Sequence, residues 1–160
     1  PALHGILFDL PHIAALAGST LAEEGVADRC LLVGGDFFEG VPGGGDVYVL
    51  SVVVHDWDDQ RARCILGNCR QVVPPDGKLL IVETLMPERV EQAPSVILND
   101  LVMLAHTGGK QRTEAEHGQL LAYAGFSLTR NLPAADTAGP SCSSQPERAR
   151  ASASRRRIFA

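Results

Sequence analysis

The stretch Asp46-Val47-Tyr48-Val49-Leu50-Ser51-Val52-Val53-Val54-His55-Asp56-Trp57-Asp58-Asp59 carries the strongest structural signal in this chain. The run after Asp46 is apolar except for Ser51, which predicts a strand over residues 47–54 that is buried on both faces, as in a parallel sheet. An imidazole, a carboxylate and an indole follow directly. Because ligands of open α/β sheets bind at the carboxyl ends of strands, this end is a candidate site with His55 as candidate base.

Strand-like and helical patterns alternate along the rest of the chain. The predicted strands are 4–10, 30–33, 47–54, 78–85 and 126–132, and the predicted helices are 11–24, one that begins at Asp58 or Asp59, 95–106 and 113–123. Thr113 and Glu116 have the spacing of a capping box at the start of the last helix. The alternation predicts an α/β fold with a mostly parallel sheet and helices on both faces.

Composition sets the domain and partner predictions. Residues 1–133 are predicted to form one domain, and residues 134–160, rich in Ala, Ser, Pro and Arg, are predicted to be a disordered tail. A net charge of −5, carried by an acidic body, argues against nucleic acid as a partner, and no apolar run is long enough to span a membrane. The four cysteines fit neither a zinc site nor a redox pair, so reduced thiols in a cytoplasmic protein are expected.

Five short motifs occur in order between residues 3 and 132. They are Phe8-Asp9-Leu10-Pro11, Gly34-Gly35-Asp36-Phe37-Phe38, His55-Asp56-Trp57-Asp58-Asp59, Gly77-Lys78-Leu79-Leu80-Ile81-Val82-Glu83 and Gly108-Gly109-Lys110-Gln111-Arg112-Thr113. Together they resemble the S-adenosylmethionine-dependent small-molecule O-methyltransferases, of the plant caffeate and flavonoid type and the bacterial polyketide- and carotenoid-tailoring type. The resemblance implies part of a class I methyltransferase domain with a Rossmann-like sheet.

The same resemblance implies S-adenosylmethionine as the methyl donor. The residues that match its binding positions are Asp9, Asp36, Phe37, Ser51, Asp56 and Trp57. Asp9 would bind the ribose hydroxyls, a role that suits a carboxylate because it can accept from both vicinal hydroxyls. Asp36 would accept from the adenine amine and Phe37 would pack on the adenine ring. Other interpretations remain open, in which Asp9 is an acid of a turn, Asp36 and Phe37 are a strand-end acid and a core aromatic, and Trp57 fills the core.

His55 matches the catalytic base of that family. A phenol with a pKa of about 10 is mostly protonated at neutral pH, whereas an imidazole of pKa about 6.5 can take its proton. The resemblance implies that two glutamates orient this ring; Glu83 matches the first, and Gln111 stands at the second position. A glutamine can hydrogen-bond the ring but cannot stabilise an imidazolium by charge. A capping or core histidine is the alternative interpretation of His55.

The acceptor is expected to be an aromatic or polyketide-like small molecule with a hydroxyl group. Asn99, Met103 and His106 match the helix that lines the acceptor pocket in the family, although ordinary core and surface roles remain open for them. We expect no metal ion, because the acids at the predicted strand ends form no compact cluster.

The family's glycine-rich loop would fall before Pro1. Two hypotheses therefore stay open. The chain is a methyltransferase segment that acts as a homodimer or with a chain supplying the missing part, or it is an inactive methyltransferase-like interaction module. A nicotinamide-dependent oxidoreductase is not favoured, because no Gly-x-Gly-x-x-Gly follows the first strand.

Overall fold

The computed structural model of this chain describes residues 3–89, 94–133 and 156–159. The chain folds as two compact units, unit 1 (Pro1–Tyr48 and Cys64–Lys78) and unit 2 (Val49–Arg63 and Leu79–Ala160). The strands are β1 (Gly5–Asp9), β2 (Cys30–Gly34), β3 (Val47–Ser51), β4 (Lys78–Thr84), β5 (Asn131–Pro133) and β6 (Arg156–Phe159). The helices are α1 (Pro11–Glu23), α2 (Asp59–Val72), α3 (Pro94–His106) and α4 (Glu114–Tyr123).

Unit 1 is built on a parallel pair of strands joined by a helix. β1 and β2 pair from Gly5 opposite Cys30 to Asp9 opposite Gly34, as the sequence predicts. Pro11 begins α1, where its missing N–H costs no helical hydrogen bond. Gly25 follows the helix with φ of +66°, the left-handed conformation that favours glycine at this position. The parallel register brings the carboxyl ends of β1 and β2 side by side.

The second sheet, most of which lies in unit 2, has the strand order β3-β4-β6-β5. β6 pairs antiparallel with both β4 and β5. In unit 2, the side chains of Val54, Ala62 and Ile81 are completely buried. Burying a Val or Ile side chain contributes about 1.5–3 kcal/mol, so truncating Ile81 to Ala would cost about 2–5 kcal/mol.

Local signals in the sequence set the start of α4. The Thr113 hydroxyl accepts a hydrogen bond from the Glu116 N–H at 3.3 Å, and the Glu116 carboxylate accepts one from the Thr113 N–H at 2.8 Å. This reciprocal pair is the predicted capping box. In the described ranges, no helix combines the length and the apolar character needed to cross a membrane.

Two predicted strands are wrong in extent. The strand predicted over 47–54 ends at Ser51, because Val52 takes a φ of +59° and Val54–Asp56 form a 3₁₀ turn. It is not buried on both faces, since the side chain of Val49 is 57% exposed. The strand predicted over 126–132 is reduced to β5, because the chain finds a pairing partner, β6, only from Asn131 onward.

Most of the predicted disordered tail lies outside the described residues. Within it, Arg156–Phe159 form β6, and the prediction differs from the structure at these four residues. All four main chains pair with β4, and those of residues 157–159 also pair with β5, which a composition averaged over the whole tail does not reveal. The boundary at residue 133 between a domain and a tail stays a prediction.

Candidate functional site

The backbone directly after β3 is strained. Val52 has a φ of +59°, which is a genuine outlier for a β-branched residue. Its N–H donates to the carbonyl of Val82 at 2.9 Å, and this bond ties the outlier to β4. Strain of this kind persists where the surrounding structure imposes it, and it clusters at functional sites. Here it turns the chain so that the N–H groups of the next residues converge.

Those N–H groups converge on the carboxylate of Glu83. This side chain projects from β4 and is 1% exposed. Its Oε1 accepts from the N–H groups of Val53, Val54 and His55 at 3.1, 2.8 and 3.4 Å. Successive N–H groups that point to one spot form an anion-binding nest. The buried charge is thus held by main-chain donors, and Oε2 remains directed at the ring of His55, 2.6 Å from Nδ1.

The His55 imidazole lies between two carboxylates. Nδ1 meets Glu83, and Nε2 lies 3.3 Å from Oδ1 of Asp56. The hydrogen bond to Glu83 raises the pKa of His55; burial opposes this rise, the charges of Glu83 and Asp56 support it, and the charge of Arg112 opposes it. In the neutral ring, a proton on Nδ1 can be donated to Glu83, which leaves Nε2 as the atom that can accept a proton.

A buried arginine contacts the loop between β3 and α2, which carries His55, through the main-chain carbonyls of that loop. Arg112, 1% exposed, donates from Nη1 to the Val54 carbonyl at 2.9 Å and from Nη2 to the Trp57 carbonyl at 2.8 Å. Nε and Nη2 also donate to Oδ1 of Asp59 at 3.0 and 2.9 Å. Burial alone would raise the pKa of the Asp59 carboxyl. The hydrogen bonds from Arg112 and Lys110 outweigh burial and hold that pKa below its ordinary value. The buried guanidinium therefore has both charge compensation and hydrogen-bond acceptors.

The sequence pattern predicts no role for Arg112. Arginine is mostly exposed in proteins, and nothing in its type or spacing marks this one as buried. The only available signal is its place in the last motif, directly before the cap residue Thr113. The resemblance places Asp56 at the cofactor, and the sequence likewise does not predict its approach to Nε2 of His55.

The segment around Gly109 packs against the loop that carries His55. A Cβ at residue 109 would overlap the carbonyl oxygen of His55, so only glycine fits there. Gln111 is buried, and its N–H donates to Oδ1 of Asp100 at 2.6 Å. Its Oε1 has no hydrogen-bond partner among the described residues. The orienting role expected for Gln111 stays a prediction.

The remaining candidates of unit 2 lie on β3, on the loop and on α3. Ser51 is exposed at the end of β3, and Trp57 is half-buried, with the guanidinium carbon of Arg61 5.3 Å from its ring centroid. The three acceptor candidates Asn99, Met103 and His106 lie on α3. Met103 is half-buried, and Asn99 and His106 are exposed. Their spacing of four and three residues places them on one face of the helix.

The remaining cofactor candidates lie at the strand ends of unit 1. Asp9 is exposed at the end of β1, and its Oδ1 accepts from the N–H of Leu10 at 2.7 Å. Asp36 follows β2, and its Oδ1 accepts from the N–H of Phe38 at 2.8 Å. The ring of Phe37 packs edge-on against Phe38 with centroids 4.9 Å apart. The parallel pairing of β1 and β2 thus brings two carboxylates to the same end of the strand pair, each oriented by a local hydrogen bond.

Comparison with known proteins identifies the family. Residues 1–127 match the model of the O-methyltransferase domain. The phenazine O-methyltransferase PhzM of Lysobacter antibioticus is 55% identical over 135 residues, which cover 84% of this chain and 39% of that protein. The crystal structure of LaPhzM aligns with 99% of this chain and 42% of its own, with 46% identity and a TM-score of 0.83.

A further solved structure contains ligands. NcsB1, an O-methyltransferase from neocarzinostatin biosynthesis, was crystallised with S-adenosylmethionine and 2-hydroxy-5-methyl naphthoic acid; it aligns with 98% of this chain and 40% of its own, with 32% identity and a TM-score of 0.77. This chain spans about two fifths of the length of these relatives. The alignments confirm the predicted α/β fold of a class I methyltransferase. The chain belongs to the S-adenosylmethionine-dependent O-methyltransferase family.

Proposed function

We propose that this chain is the part of an O-methyltransferase that carries the catalytic base, and that the enzyme transfers a methyl group from S-adenosylmethionine to a hydroxyl of an aromatic or polyketide-like small molecule. The observation that carries the proposal is the pair formed by Nδ1 of His55 and the buried carboxylate of Glu83, 2.6 Å apart. The pair lies at the end of a strand, where α/β sheets bind their ligands.

His55 acts as the general base. When bound, S-adenosylmethionine supplies a methyl group on a positively charged sulfur, ready for in-line displacement. As the acceptor oxygen attacks the methyl carbon, its proton would pass to Nε2 of His55, the bond from methyl to sulfur would break, and S-adenosylhomocysteine would leave as a neutral thioether. Glu83 stabilises the charge that the ring gains. The acceptor hydroxyl takes the position that Asp56 occupies beside Nε2, which frees Asp56 for the cofactor role inferred from the resemblance.

The cofactor candidates have suitable chemistry. In unit 1, the exposed carboxylate of Asp9 can accept from vicinal ribose hydroxyls, and Asp36 and Phe37 offer an acceptor and a ring for adenine. In unit 2, Ser51 and Trp57 are the corresponding candidates. The free thiols of Cys30, Cys64 and Cys69 are consistent with a reducing compartment, and we propose the cytoplasm as the location.

The acceptor side of the proposal rests on α3. Met103 has a flexible thioether that suits contact with a flat ring, and Asn99 and His106 add polar groups on the same face. The naphthoic acid bound by NcsB1 supports an aromatic acceptor.

Cofactor binding is tested by calorimetric titration of the chain with S-adenosylmethionine. We expect Asp9→Asn to weaken binding by about tenfold or more, which corresponds to the loss of a charged hydrogen bond. Asp28→Asn is the matched control, because Asp28 precedes β2 rather than following it. Equal effects of the two substitutions would refute the role of Asp9.

Methyl transfer is tested with radiolabelled S-adenosylmethionine and a panel of hydroxylated naphthoic acids and phenazines. Because the chain spans about two fifths of its relatives, it is assayed alone and with the part of the Lysobacter enzyme that this chain does not cover. His55→Ala should reduce transfer by about 10²–10⁴-fold without changing cofactor affinity. No cofactor binding and no transfer by the folded chain in either assay would overturn the proposal and favour the inactive alternative, to which Gln111 in place of a glutamate already points.

A further inference from the structure

The loop that carries His55 is held from both sides of its backbone. On the N–H side, Glu83 accepts from three successive residues, Val53 to His55. On the carbonyl side, Arg112 donates to Val54 and Trp57, the residues that bracket His55 and Asp56. An anion and a cation thus fix the path of the short segment between them.

We propose that Arg112 is a positioning residue for the base, whose guanidinium holds the loop so that the His55 ring stays in contact with Glu83. The inference rests on the proposed function of His55. Two anchored carbonyls three residues apart leave the intervening backbone little freedom, and a misplacement of about 1 Å in a catalytic group can cost about 10²-fold in rate.

The geometry requires an arginine. The planar guanidinium has five N–H donors in a fixed fork, and here they reach two carbonyls and the Asp59 carboxylate together. A lysine ammonium is a compact charge and cannot span these acceptors at once. Arg112→Lys therefore keeps the positive charge but loses the simultaneous hydrogen bonds to the two carbonyls and to Asp59.

A simple surface ion pair does not account for this arrangement. The carboxylate of Asp59 is 45% exposed and already has Lys110 at 3.3 Å, so it needs no buried partner. The guanidinium is nevertheless 1% exposed, and its buried end is directed at the loop carbonyls. Burial of a cation at this place is explained by the loop that it binds.

The test is an NMR titration of the His55 ring in the isotope-labelled chain, with Arg112→Lys and Arg112→Gln. The charged groups that face the ring are Glu83, Asp56 and Arg112. If Arg112 holds the loop, its loss weakens the contact with Glu83, and the pKa of His55 falls toward its ordinary value in both variants. If Arg112 acts only as a nearby positive charge, its removal in Arg112→Gln raises that pKa, and a rise or no change would overturn the proposal.

Arg63→Lys is the matched control. Arg63 is exposed on α2, with its guanidinium carbon 4.2 Å from the centroid of the Tyr123 ring, and this substitution should leave the titration of His55 unchanged. In the transfer assay, the Arg112 variants should lower kcat by about 10²-fold with little change in KM. A change confined to KM would contradict positioning of the base.

A second variant serves if the Arg112 variants fail to fold. Asp59→Asn removes the anionic partner of the guanidinium but keeps the size of the side chain and an oxygen that can accept a hydrogen bond, so it should disturb the fold less than loss of Arg112. It should lower the pKa of His55 as the Arg112 variants do, but by a smaller amount. An unchanged pKa of His55 would contradict the proposal that Arg112 holds the loop. The NMR measurement needs neither cofactor nor acceptor, so it distinguishes failure of this inference from failure of the proposed function.

Discussion

At the scale of single residues, His55 is controlled by two acids in different environments. Glu83 is 1% exposed and Asp56 is 37% exposed. The buried acid contacts Nδ1 of the ring, whereas the more exposed acid lies beside Nε2, the position that the proposed function gives to the acceptor hydroxyl. The hydrogen bond to Glu83 raises the pKa of His55, so a base reaction that needs the neutral ring should lose rate as the pH falls through a value above 6.5.

Glu83→Gln tests this control. The amide keeps the shape of the side chain but removes the charge, so the pKa of His55 should fall, and the acid limb of the kcat–pH profile should move to lower pH. The maximal kcat should fall by about 10²-fold, because the imidazolium formed in the reaction loses its counter-charge. Glu88→Gln, at an exposed position after β4, is the control. An acid limb that stays in place in Glu83→Gln would show that Glu83 does not set the pKa of the base.

A second histidine controls stability rather than chemistry. His117 is 2% exposed, and burial lowers its pKa from 6.5 to about 4. The unfolded state therefore binds a proton on acidification before the folded state does. As the pH falls from 6.5 to 4, this histidine should lower the free energy of unfolding by about 3 kcal/mol. Above pH 6.5 it should have no such effect.

His117→Gln should remove that part of the pH dependence. The measurement is the free energy of unfolding by urea at several pH values, compared between variant and parent because His55 titrates with the opposite sign. A raised pKa, as at His55, stabilises the folded state at low pH and loses that contribution as the pH rises through it. Exposed His12, changed to Gln, is the control. Parallel stability curves for His117→Gln and the parent would contradict the buried neutral histidine.

The candidate site was partly predictable from the sequence. The pairing of His55 with Glu83 followed from the ends of two predicted strands and from the resemblance, because both residues lie near ends that a sheet brings together. The contact of Asp56 with Nε2 could not be predicted, since it depends on the 3₁₀ turn at Val54–Asp56. The burial of Arg112 could not be predicted either, because a long-range contact over more than 50 residues buries it.

At the scale of elements, local signals predicted helices better than strands. Pro11 and the box of Thr113 and Glu116 are chemical start signals that operate within one turn, and both helices begin where these predict. The end of β3 has no such signal, because valine is a good strand residue and Val52 nonetheless leaves the extended conformation. The conformation of Val52 is imposed by its hydrogen bond to Val82 and by the N–H groups that surround Glu83. These contacts are distant in sequence, so no local pattern predicts them.

Thr113→Ala tests how much the capping box at the start of α4 contributes to the free energy of unfolding. The substitution removes the acceptor of the Glu116 N–H, so the free energy of unfolding should fall by about 1 kcal/mol. Chemical denaturation provides the measurement. Thr20→Ala makes the same change inside α1, at an exposed position where alanine favours the helix, and it should be neutral or slightly stabilising. Equal losses in both variants would mean that the box contributes nothing specific.

At the scale of the whole molecule, the sequence predicted the α/β class and the order of the strands and α-helices through β5, although the extent of β5 was wrong. What it did not predict is β6, the strand that pairs with β4 and β5. Pairing across long stretches of chain depends on partners that no local pattern identifies, and the surrounding Ala-, Ser- and Arg-rich composition favoured disorder.

Ile158→Pro tests whether β6 holds the second sheet together. β6 has neighbours on both sides, so the N–H of any of its residues is directed toward one of them, and a proline removes a ladder bond. We expect a loss of about 2 kcal/mol or more in the free energy of unfolding, measured by urea denaturation. The unpaired edges of β4 and β5 should also promote association, seen by sedimentation velocity.

Ala151→Pro is the matched control for that experiment. It introduces the same residue into the segment predicted from composition to be disordered, and it should change the free energy of unfolding by less than about 0.5 kcal/mol. If both substitutions destabilise equally, the tail has structure that its composition does not predict. If neither does, β6 contributes little to the sheet, and the part of the chain that holds His55, Glu83 and Arg112 is stable without it.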